Sequence, residues 1–235
     1  MAGDGPMTQT AAVPGGARAE RAPARLRITE TFLSLQGEAA QVGWPTVFVR
    51  LTGCPLRCRW CDTAYSFSGG QMLGLDEILD TVAGFGVRHV CVTGGEPLAQ
   101  PGCPALLEAL CERGHAVSLE TSGALELREV DPRVRIVMDL KAPASGESAR
   151  NRLDNLERLR PGDQIKIVLA DRADFDWALE LLLRHPRPDG VEVLFSPVYG
   201  ELEPQRLAEW ILEARAPVRF QLQLHKLLWG DVAGH

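Results

Sequence analysis

The sequence predicts an α/β protein whose mostly parallel strands form a partial (incomplete) β/α barrel. Short runs of apolar and β-branched residues alternate with helix-like stretches, a pattern typical of βα units and a parallel sheet. About seven strands, the central ones in βα order, favour a partial barrel or an open curved sheet over a closed eightfold barrel. Polar or glycine-rich segments follow several strands, at the ends where such folds place their chemistry.

The predicted elements begin at residue 26. The runs with strand character span 26–32, 46–52, 87–93, 116–121, 134–140, 164–170, 191–196 and 218–224. The stretches with helical periodicity span 75–85, 103–114, 173–185 and 203–214.

Length and composition indicate one large folded domain behind a tail. Residues 1–25 are rich in Ala, Gly, Pro and Arg and lack hydrophobic periodicity, which predicts a disordered tail before a domain of residues 26–235. No apolar run approaches the ~20 residues that span a bilayer, so we expect no membrane association. A net charge of −6 gives no reason to expect a nucleic-acid partner. Six cysteines without a secretory signal favour a cytoplasmic protein with thiols or metal ligands over a disulfide framework.

Five loops follow predicted strands with polar or glycine-rich sequences. They read TGC, TGGEP, ETSG, DLKAP and SPVYG, after the strands that begin at residues 46, 87, 116, 134 and 191. A single loop of this kind can simply turn the chain into the next helix. Five such loops, with cysteines at the first, predict one site at the carboxyl ends of the strands.

Three cysteines, Cys54, Cys58 and Cys61, lie within eight residues and have no fourth nearby. A structural zinc site needs four protein ligands, and unliganded thiols are the other simple alternative. A cuboidal [4Fe–4S] cluster is normally held by four thiolates, so three would leave one iron open to a small molecule with an amine and a carboxylate. The remaining cysteines form no second pair and are predicted to pack in the interior: Cys91, Cys103 and Cys111.

The C-x-x-x-C-x-x-C spacing, with Trp60 before the last cysteine and TGGEP after the next strand, resembles the signature of radical S-adenosylmethionine (radical SAM) enzymes. This resemblance implies that Cys54, Cys58 and Cys61 hold a [4Fe–4S] cluster. It also implies that S-adenosylmethionine yields a 5′-deoxyadenosyl radical that removes a hydrogen atom from the substrate. Gly95 would give its backbone to the methionyl amino group, where a side chain would block the approach.

A narrower resemblance rests on the segment Leu35-Gln36-Gly37-Glu38, on Arg50, on the CDT sequence after the cluster cysteines and on the C-terminal QLHKLLWG. Together they are similar to the 7-carboxy-7-deazaguanine synthases, from about Thr29 to Trp229. The family converts 6-carboxy-5,6,7,8-tetrahydropterin to 7-carboxy-7-deazaguanine with loss of ammonia, in 7-deazapurine and queuosine biosynthesis. The resemblance implies a radical SAM catalytic domain over residues 26–235, Mg²⁺, a flavodoxin or ferredoxin as electron donor, and a homodimer.

The resemblance also implies roles for individual residues. Thr63 would bind Mg²⁺ through its hydroxyl. The residues that would bind S-adenosylmethionine are Trp60, Cys61, Asp62, Gly95, Asp139, Leu140 and Lys141. The residues that would bind the pterin are Leu35, Gln36, Gly37, Arg50, Thr93 and His225. The chain departs from the family pattern at Ala39, where a glycine is usual, and at Asp139-Leu140, where the family usually has Ser-Pro.

Three physical observations accompany these assignments. Arg50 ends a core-like strand, so its guanidinium needs an acidic partner or, as the alternative, a place in solvent. Only three of the 25 basic residues are lysines, Lys141, Lys166 and Lys226, which makes each a candidate for a site that needs a compact ammonium, with chance as the alternative. His225 would contact the substrate or cap the last strand.

Two other functions compete with the synthase. A glycyl-radical-enzyme activase would share the cysteines and the glycine motif but act on a large protein. A non-catalytic iron–sulfur or zinc-binding module would need only the cysteines. Arg50, Thr63 and the segment Gln36-Gly37-Glu38 favour the synthase, because a metal and a carboxylate pocket suit a small acid.

Overall fold

The computed structural model describes residues 24–127, 129–230, 232 and 234. The predicted tail lies outside the described residues except for its last two, and Arg25 already begins the first strand. The tail and the domain boundary therefore stay predictions.

A single nine-stranded sheet runs through the described part of the chain, in the order β3-β1-β2-β4-β5-β6-β7-β8-β9. From β2 onwards each neighbouring pair in this order is parallel, whereas β1 is antiparallel to both β2 and β3. The two edge strands, β3 and β9, do not pair with each other, so the partial barrel of mostly parallel strands is confirmed. The strands are β1 Arg25–Leu35, β2 Pro45–Leu51, β3 Gln71–Gly74, β4 His89–Gly94, β5 Ala116–Thr121, β6 Arg135–Asp139, β7 Gln164–Leu169, β8 Glu192–Pro197 and β9 Arg219–Phe220.

Four of the helices confirm the predicted periodic stretches. Their starts are marked by ordinary signals: the Asp171 carboxylate accepts a hydrogen bond from the Asp174 N–H at 2.9 Å, and Pro204 opens the fourth helix. None of the helices in the described ranges is long and apolar enough to cross a membrane. The helices are α1 Leu75–Gly84, α2 Cys103–Glu112, α3 Arg172–Arg184, α4 Pro204–Ala214 and α5 Leu224–Trp229.

Two apolar clusters lie between the sheet and these helices. The first joins β1, β2, β4 and β5 to α1 and α2, with fully buried side chains such as Leu51 and Leu107. The second joins β6, β7 and β8 to α3 and α4, and in it the Phe175 ring meets the Phe195 ring edge-on at 5.8 Å. Alternate strand residues therefore face these clusters, and the residues between them face the barrel interior.

The last predicted strand is wrong over most of its length. Of residues 218–224 only Arg219–Phe220 pair in the sheet, and Leu224 begins α5. The chain leaves the sheet because the Leu224 N–H donates to the Gly37 carbonyl at 2.9 Å instead of continuing a ladder. His225 therefore lies on a helix, and the alternative that it caps the last strand is wrong.

Candidate functional site

A cavity of about 620 Å³ opens at the carboxyl ends of the parallel strands. Residues of all five predicted loops line it, which confirms that these loops converge. Of the residues predicted to bind the cluster, S-adenosylmethionine, Mg²⁺ or the pterin, those that line the cavity are Arg50, Cys54, Cys58, Trp60, Cys61, Asp62, Thr63, Thr93, Gly95, Asp139, Lys141 and His225.

Four other predicted site residues do not line the cavity. Leu35 ends β1 and is half-buried, and Gln36 and Gly37 are buried in the loop that follows. Leu140 belongs to the second apolar cluster, and its N–H donates to the Lys166 carbonyl at 2.9 Å. Binding through Leu140 could therefore use only its backbone.

The cluster loop, residues 54–61, holds three free and half-buried thiols at the wall of the cavity. Hydrogen bonds fix it at both ends: the Gly53 N–H donates to the Ser66 carbonyl at 2.8 Å, and the Arg59 N–H to the Ser145 carbonyl at 3.0 Å. Burial raises the pKa of the Cys54 and Cys58 thiols, while the nearby Lys141 ammonium acts in the opposite direction on both. The loop is thus a preformed thiol site beside a cation.

The donor set fits an iron–sulfur cluster better than a single metal ion. Across the described ranges, no three Cys, His, Asp or Glu side chains converge as the ligands of one ion would. Three thiols on one short loop, facing a cavity with room for a ligand, match the needs of a cluster whose thiolates bind different irons. Of the other thiols, Cys91 and Cys103 are fully buried, which confirms their predicted place in the interior, whereas Cys111 is half-buried and packs against the first apolar cluster.

Gly95, the residue after β4, lets the backbone at that strand end pack directly on the start of the cluster loop. A Cβ atom on Gly95 would lie 2.2 Å from the Gly53 carbonyl oxygen and 2.7 Å from the Cys54 Cβ. The next residue, Glu96, is fully buried and accepts hydrogen bonds from the Ser122 N–H at 2.7 Å and the Leu98 N–H at 3.0 Å. Backbone contact and a buried carboxylate thus join the β4, β5 and cluster loops.

Thr63 lines the cavity, and its hydroxyl is not used for capping. It precedes a short 3₁₀ helix, Ala64–Phe67, but its side chain makes no capping hydrogen bond. The Thr63 hydroxyl lies 3.8 Å from the Cys61 sulfur, and it is the Ser66 hydroxyl that donates to the Thr63 carbonyl, at 2.8 Å. Its oxygen can therefore serve a hard cation such as Mg²⁺.

Arg50 is held by an acidic partner, so the alternative of a solvated arginine is wrong. Its side chain is 12% exposed, and its Nε donates to the Glu30 carboxylate at 2.7 Å. The Tyr65 hydroxyl donates to the same Glu30 oxygen at 2.7 Å. Burial and this hydrogen bond raise the pKa of Tyr65 to about 12, which keeps the phenol protonated. Because Glu30 engages Nε, the two terminal nitrogens of Arg50 remain for a ligand carboxylate.

Glu120, which no motif of the sequence marks, lines the cavity and accepts hydrogen bonds from two of the predicted pterin-binding residues. Gln36 Nε2 donates to one Glu120 oxygen at 3.2 Å, and the Thr93 hydroxyl donates to the other at 3.1 Å. The alternation of β5 could have revealed it: Val117 and Leu119 face the helices, so Glu120 faces the interior.

His225 packs against the loop after β1. A Cβ atom on Gly37 would lie 2.1 Å from His225 Nδ1, so only glycine allows this contact. Burial lowers the pKa of His225, which leaves the imidazole neutral near pH 7. A neutral ring can both donate and accept a hydrogen bond.

Ala39 takes the left-handed conformation that its replacement of a glycine predicts, with φ of 64°. The Gln221 side chain stabilises it from both sides, accepting from the Ala39 N–H at 2.6 Å and donating to the Ala39 carbonyl at 3.1 Å. The Ala39 methyl is buried against Val137 and Leu194. The Gln221 hydrogen bonds and the packing of the methyl therefore hold the loop in this conformation.

All three lysines of the chain line the cavity, and each pairs with an acid. Lys141 Nζ lies 3.0 Å from Asp139, and Lys226 Nζ lies 3.5 Å from Asp62. Lys166 forms an ion pair with Glu38 and lies 3.7 Å from Asp139. Burial alone would lower the pKa of Lys166, but Asp139 and Glu38 raise it well above its usual value.

Comparison with known proteins finds chains of similar sequence and similar fold. The sequence model of the radical SAM superfamily matches residues 48–168, which include the cluster loop. The 7-carboxy-7-deazaguanine synthases of Chlorobaculum tepidum and Koribacter versatilis are 46% and 41% identical to the chain, over 89% and 87% of it and 97% of each relative. The crystal structure of QueE from Escherichia coli superposes with a TM-score of 0.72 at 25% identity, covering 86% of this chain and 95% of that one.

Proposed function

Because the chain belongs to the 7-carboxy-7-deazaguanine synthase family of the radical SAM superfamily, we propose that it is a carbon–nitrogen lyase that makes 7-carboxy-7-deazaguanine. Its substrate would be 6-carboxy-5,6,7,8-tetrahydropterin, with ammonia as the second product. The observation that carries the proposal is one cavity that is lined both by three free thiols and by Arg50, Thr93 and Glu120. This combination supports the proposal, because the thiols would hold a cluster and Arg50 would bind the carboxylate of a small acid in the same cavity.

Cys54, Cys58 and Cys61 would hold the [4Fe–4S] cluster, and S-adenosylmethionine would bind beside it. When bound, these groups supply the capacity to abstract a hydrogen atom. The protein would orient them: the backbone of Gly95 lies against the cluster loop, and Trp60, Asp62, Asp139 and Lys141 line the same cavity. Thr63 would add a neutral oxygen ligand for Mg²⁺, with the substrate carboxylate and water completing the shell.

The cavity residues on β2, β4 and β5 suit a carboxypterin. Arg50, oriented by Glu30, can hold a carboxylate through its terminal nitrogens. Glu120, fixed by Gln36 and Thr93, can accept hydrogen bonds from the N–H groups of a pterin ring. Neutral His225 covers this side from α5. Several fixed contacts on a rigid ring place the reacting carbon reproducibly, which accounts for much of an enzyme's rate advantage.

The wider setting follows from the same proposal. The enzyme would work in the cytoplasm in 7-deazapurine and queuosine biosynthesis, as a homodimer that receives electrons from a flavodoxin or ferredoxin. It would need neither a nucleic acid nor a membrane as a partner.

Anaerobic turnover tests the function directly. Reconstituted protein with about four irons per chain, S-adenosylmethionine, a reductant, Mg²⁺ and the carboxypterin should form 7-carboxy-7-deazaguanine. The same preparation, offered a glycyl-radical enzyme instead, should form no glycyl radical. Radical transfer to that protein without turnover of the pterin would overturn the proposal in favour of the activase, and one zinc per chain would overturn it in favour of a binding module.

A further inference from the structure

Lys166 occupies a central position on the floor of the cavity. It lies on β7 between Ile165 and Ile167, which are fully buried in the second apolar cluster, so the alternation of the strand turns Lys166 to the barrel interior. The residue is 9% exposed and lines the cavity. The function proposed above gives it no task.

Its ammonium contacts two carboxylates from different parts of the chain. Glu38, in the loop after β1, forms an ion pair with it, and Asp139, its register partner on β6, lies 3.7 Å away. Each carboxylate has a second donor on its far oxygen: Gln223 Nε2 at 2.6 Å for Glu38, and Lys141 Nζ at 3.0 Å for Asp139. Lys166 thus connects Glu38 to Asp139, whose other oxygen contacts Lys141, so that negative and positive groups alternate.

The two carboxylates belong to segments that are proposed to bind different ligands. Glu38 follows Gln36 and Gly37 in the loop that faces His225 and Glu120, on the proposed pterin side. Asp139 begins the segment proposed to contact the nucleoside of S-adenosylmethionine. A displacement of either carboxylate changes the field and the hydrogen-bond geometry at Lys166, and hence at the other, because buried charges tolerate loss of a partner poorly.

We propose that Lys166 is a positioning residue that couples the pterin loop to the S-adenosylmethionine segment, so that each ligand strengthens the binding of the other. The proposal rests on the proposed function for the identity of both ligands. A lysine suits this task because its compact ammonium presents donors in several directions, whereas the planar fork of arginine favours one bidentate partner. Arginine supplies almost all other cations of the chain.

The coupling can be measured without turnover. The dissociation constant of S-adenosylmethionine is determined on anaerobically reconstituted protein, with and without saturating carboxypterin, in the absence of reductant. The ratio of the two constants is the coupling factor, and linkage requires the same factor for the pterin. We expect a factor of about 5–150 for the unaltered protein, close to one for Lys166→Met, and an intermediate value for Lys166→Arg, with the iron content unchanged in both variants.

Two further variants serve as a control and as a second test of the coupling. Lys226→Met removes another buried lysine of the cavity, one paired with Asp62, and should leave the coupling factor as it is even if both affinities fall. If Lys166→Met does not fold, the double variant Glu38→Gln/Lys166→Met is measured instead. It removes both charges of the ion pair, and its coupling factor should also be about one.

The outcomes separate the two proposals. Unaltered protein that turns over the carboxypterin but shows no coupling, or a Lys166→Met variant that retains the full factor, would overturn the role of Lys166 and leave the function standing. Unaltered protein that neither binds nor converts the pterin would overturn both.

Discussion

The thiols of Cys54, Cys58 and Cys61 differ from the other three thiols in their surroundings. They line a polar cavity, whereas Cys91 and Cys103 are fully buried and the half-buried Cys111 packs from α2 against the first apolar cluster. A thiolate that binds iron needs both access and a charged environment, and Lys141 near the first two supplies a positive charge.

Alanine in place of any one of the three cluster-loop cysteines should abolish the brown iron–sulfur absorbance and the formation of 5′-deoxyadenosine. The reason is that each thiolate binds a separate iron, so the remaining two cannot hold the cluster. Iron content and the visible spectrum after anaerobic reconstitution are the measurements. Cys111→Ser is the matched control and should retain the cluster, and loss of iron in that variant would contradict the assignment.

Thr63→Ala should weaken the response of turnover to Mg²⁺ while the cluster assembles normally. The change removes one oxygen ligand and does not disturb a helix cap, because the Thr63 side chain makes no capping bond. A displacement of roughly 1 Å at the reacting carbon can cost on the order of 10²-fold in rate. Abortive cleavage of S-adenosylmethionine should fall less than product formation. Turnover measured against Mg²⁺ concentration is the test, and a response like that of the unaltered protein would rule out the metal role.

The place of a single site residue could be predicted from the sequence where a motif contains it, or where the alternation of buried residues along a strand turns it to the interior. Arg50, Glu120 and Lys166 all lie beside residues that face the helices, so a strict count along each strand places them in the interior. The ion pair of Lys166 with Glu38 could not be predicted in this way, because it joins residues 128 positions apart, one on β7 and one after β1, and these strands are not neighbours in the sheet.

At the scale of elements, the β4 end and the cluster loop act as one unit. The backbone of Gly95 touches Gly53 and Cys54 with no space between them, and the Glu96 N–H donates to the Gly53 carbonyl at 2.8 Å. Any added side chain must push the two segments apart, since backbone atoms are the obstacle.

Gly95→Ala should therefore lower cluster content and S-adenosylmethionine binding in a protein that still folds. Its methyl group would meet the Gly53 carbonyl at 2.2 Å, a distance that requires the cluster loop to move. Gly84→Ala is the matched control, because nothing lies within 4 Å of the added methyl at the end of α1. Iron content, ligand affinity and circular dichroism distinguish the two, and equal iron content in both variants would refute the expectation.

The loop after β1 offers a second test at this scale. Gln221→Ala should destabilise the fold by about 1–3 kcal/mol, because it leaves the buried Ala39 N–H without an acceptor. Ala39→Gly should stay within about 1 kcal/mol of the unaltered protein, since relief of the left-handed strain is offset by loss of a buried methyl. Chemical denaturation measures both. A larger loss for Ala39→Gly than for Gln221→Ala would show that methyl packing, rather than the amide clamp, holds the loop.

The elements that the sequence did not reveal are those whose form depends on distant partners. β3 has four residues without clear alternation and exists because it pairs with β1 over Arg25–Ile28. α5 carries the sequence LHKLLW, which could equally be the end of a strand. It leaves the sheet because the Leu224 N–H donates to the Gly37 carbonyl. The four longer helices have enough turns for their periodicity to be decisive.

At the scale of the whole molecule, two apolar clusters support the two halves of an open sheet. The cavity draws residues from both halves, with the cluster loop on the first and Asp139 and Lys166 on the second. Stability and site geometry can therefore be perturbed separately, by substitutions on the helix side or on the interior side.

Phe175→Ala should lower the free energy of unfolding by about 3–5 kcal/mol, because the ring is fully buried and packs against Phe195 and Trp210. Leu183→Ala on the same helix is the control and should change it by less than about 0.5 kcal/mol, since that side chain is 84% exposed. Denaturant unfolding of the apoprotein compares the two. Similar losses would mean that α3 does not pack on the sheet as described.

The confinement of lysine to the cavity has a spectroscopic consequence. Growth on isotopically labelled lysine would place the label at three side chains, all of them in the cavity wall and each paired with a carboxylate. The outer surface, where arginine supplies the positive charge, would contribute no lysine resonances. The magnetic resonance spectrum of those three ammonium groups would then be a background-free record of what occupies the cavity.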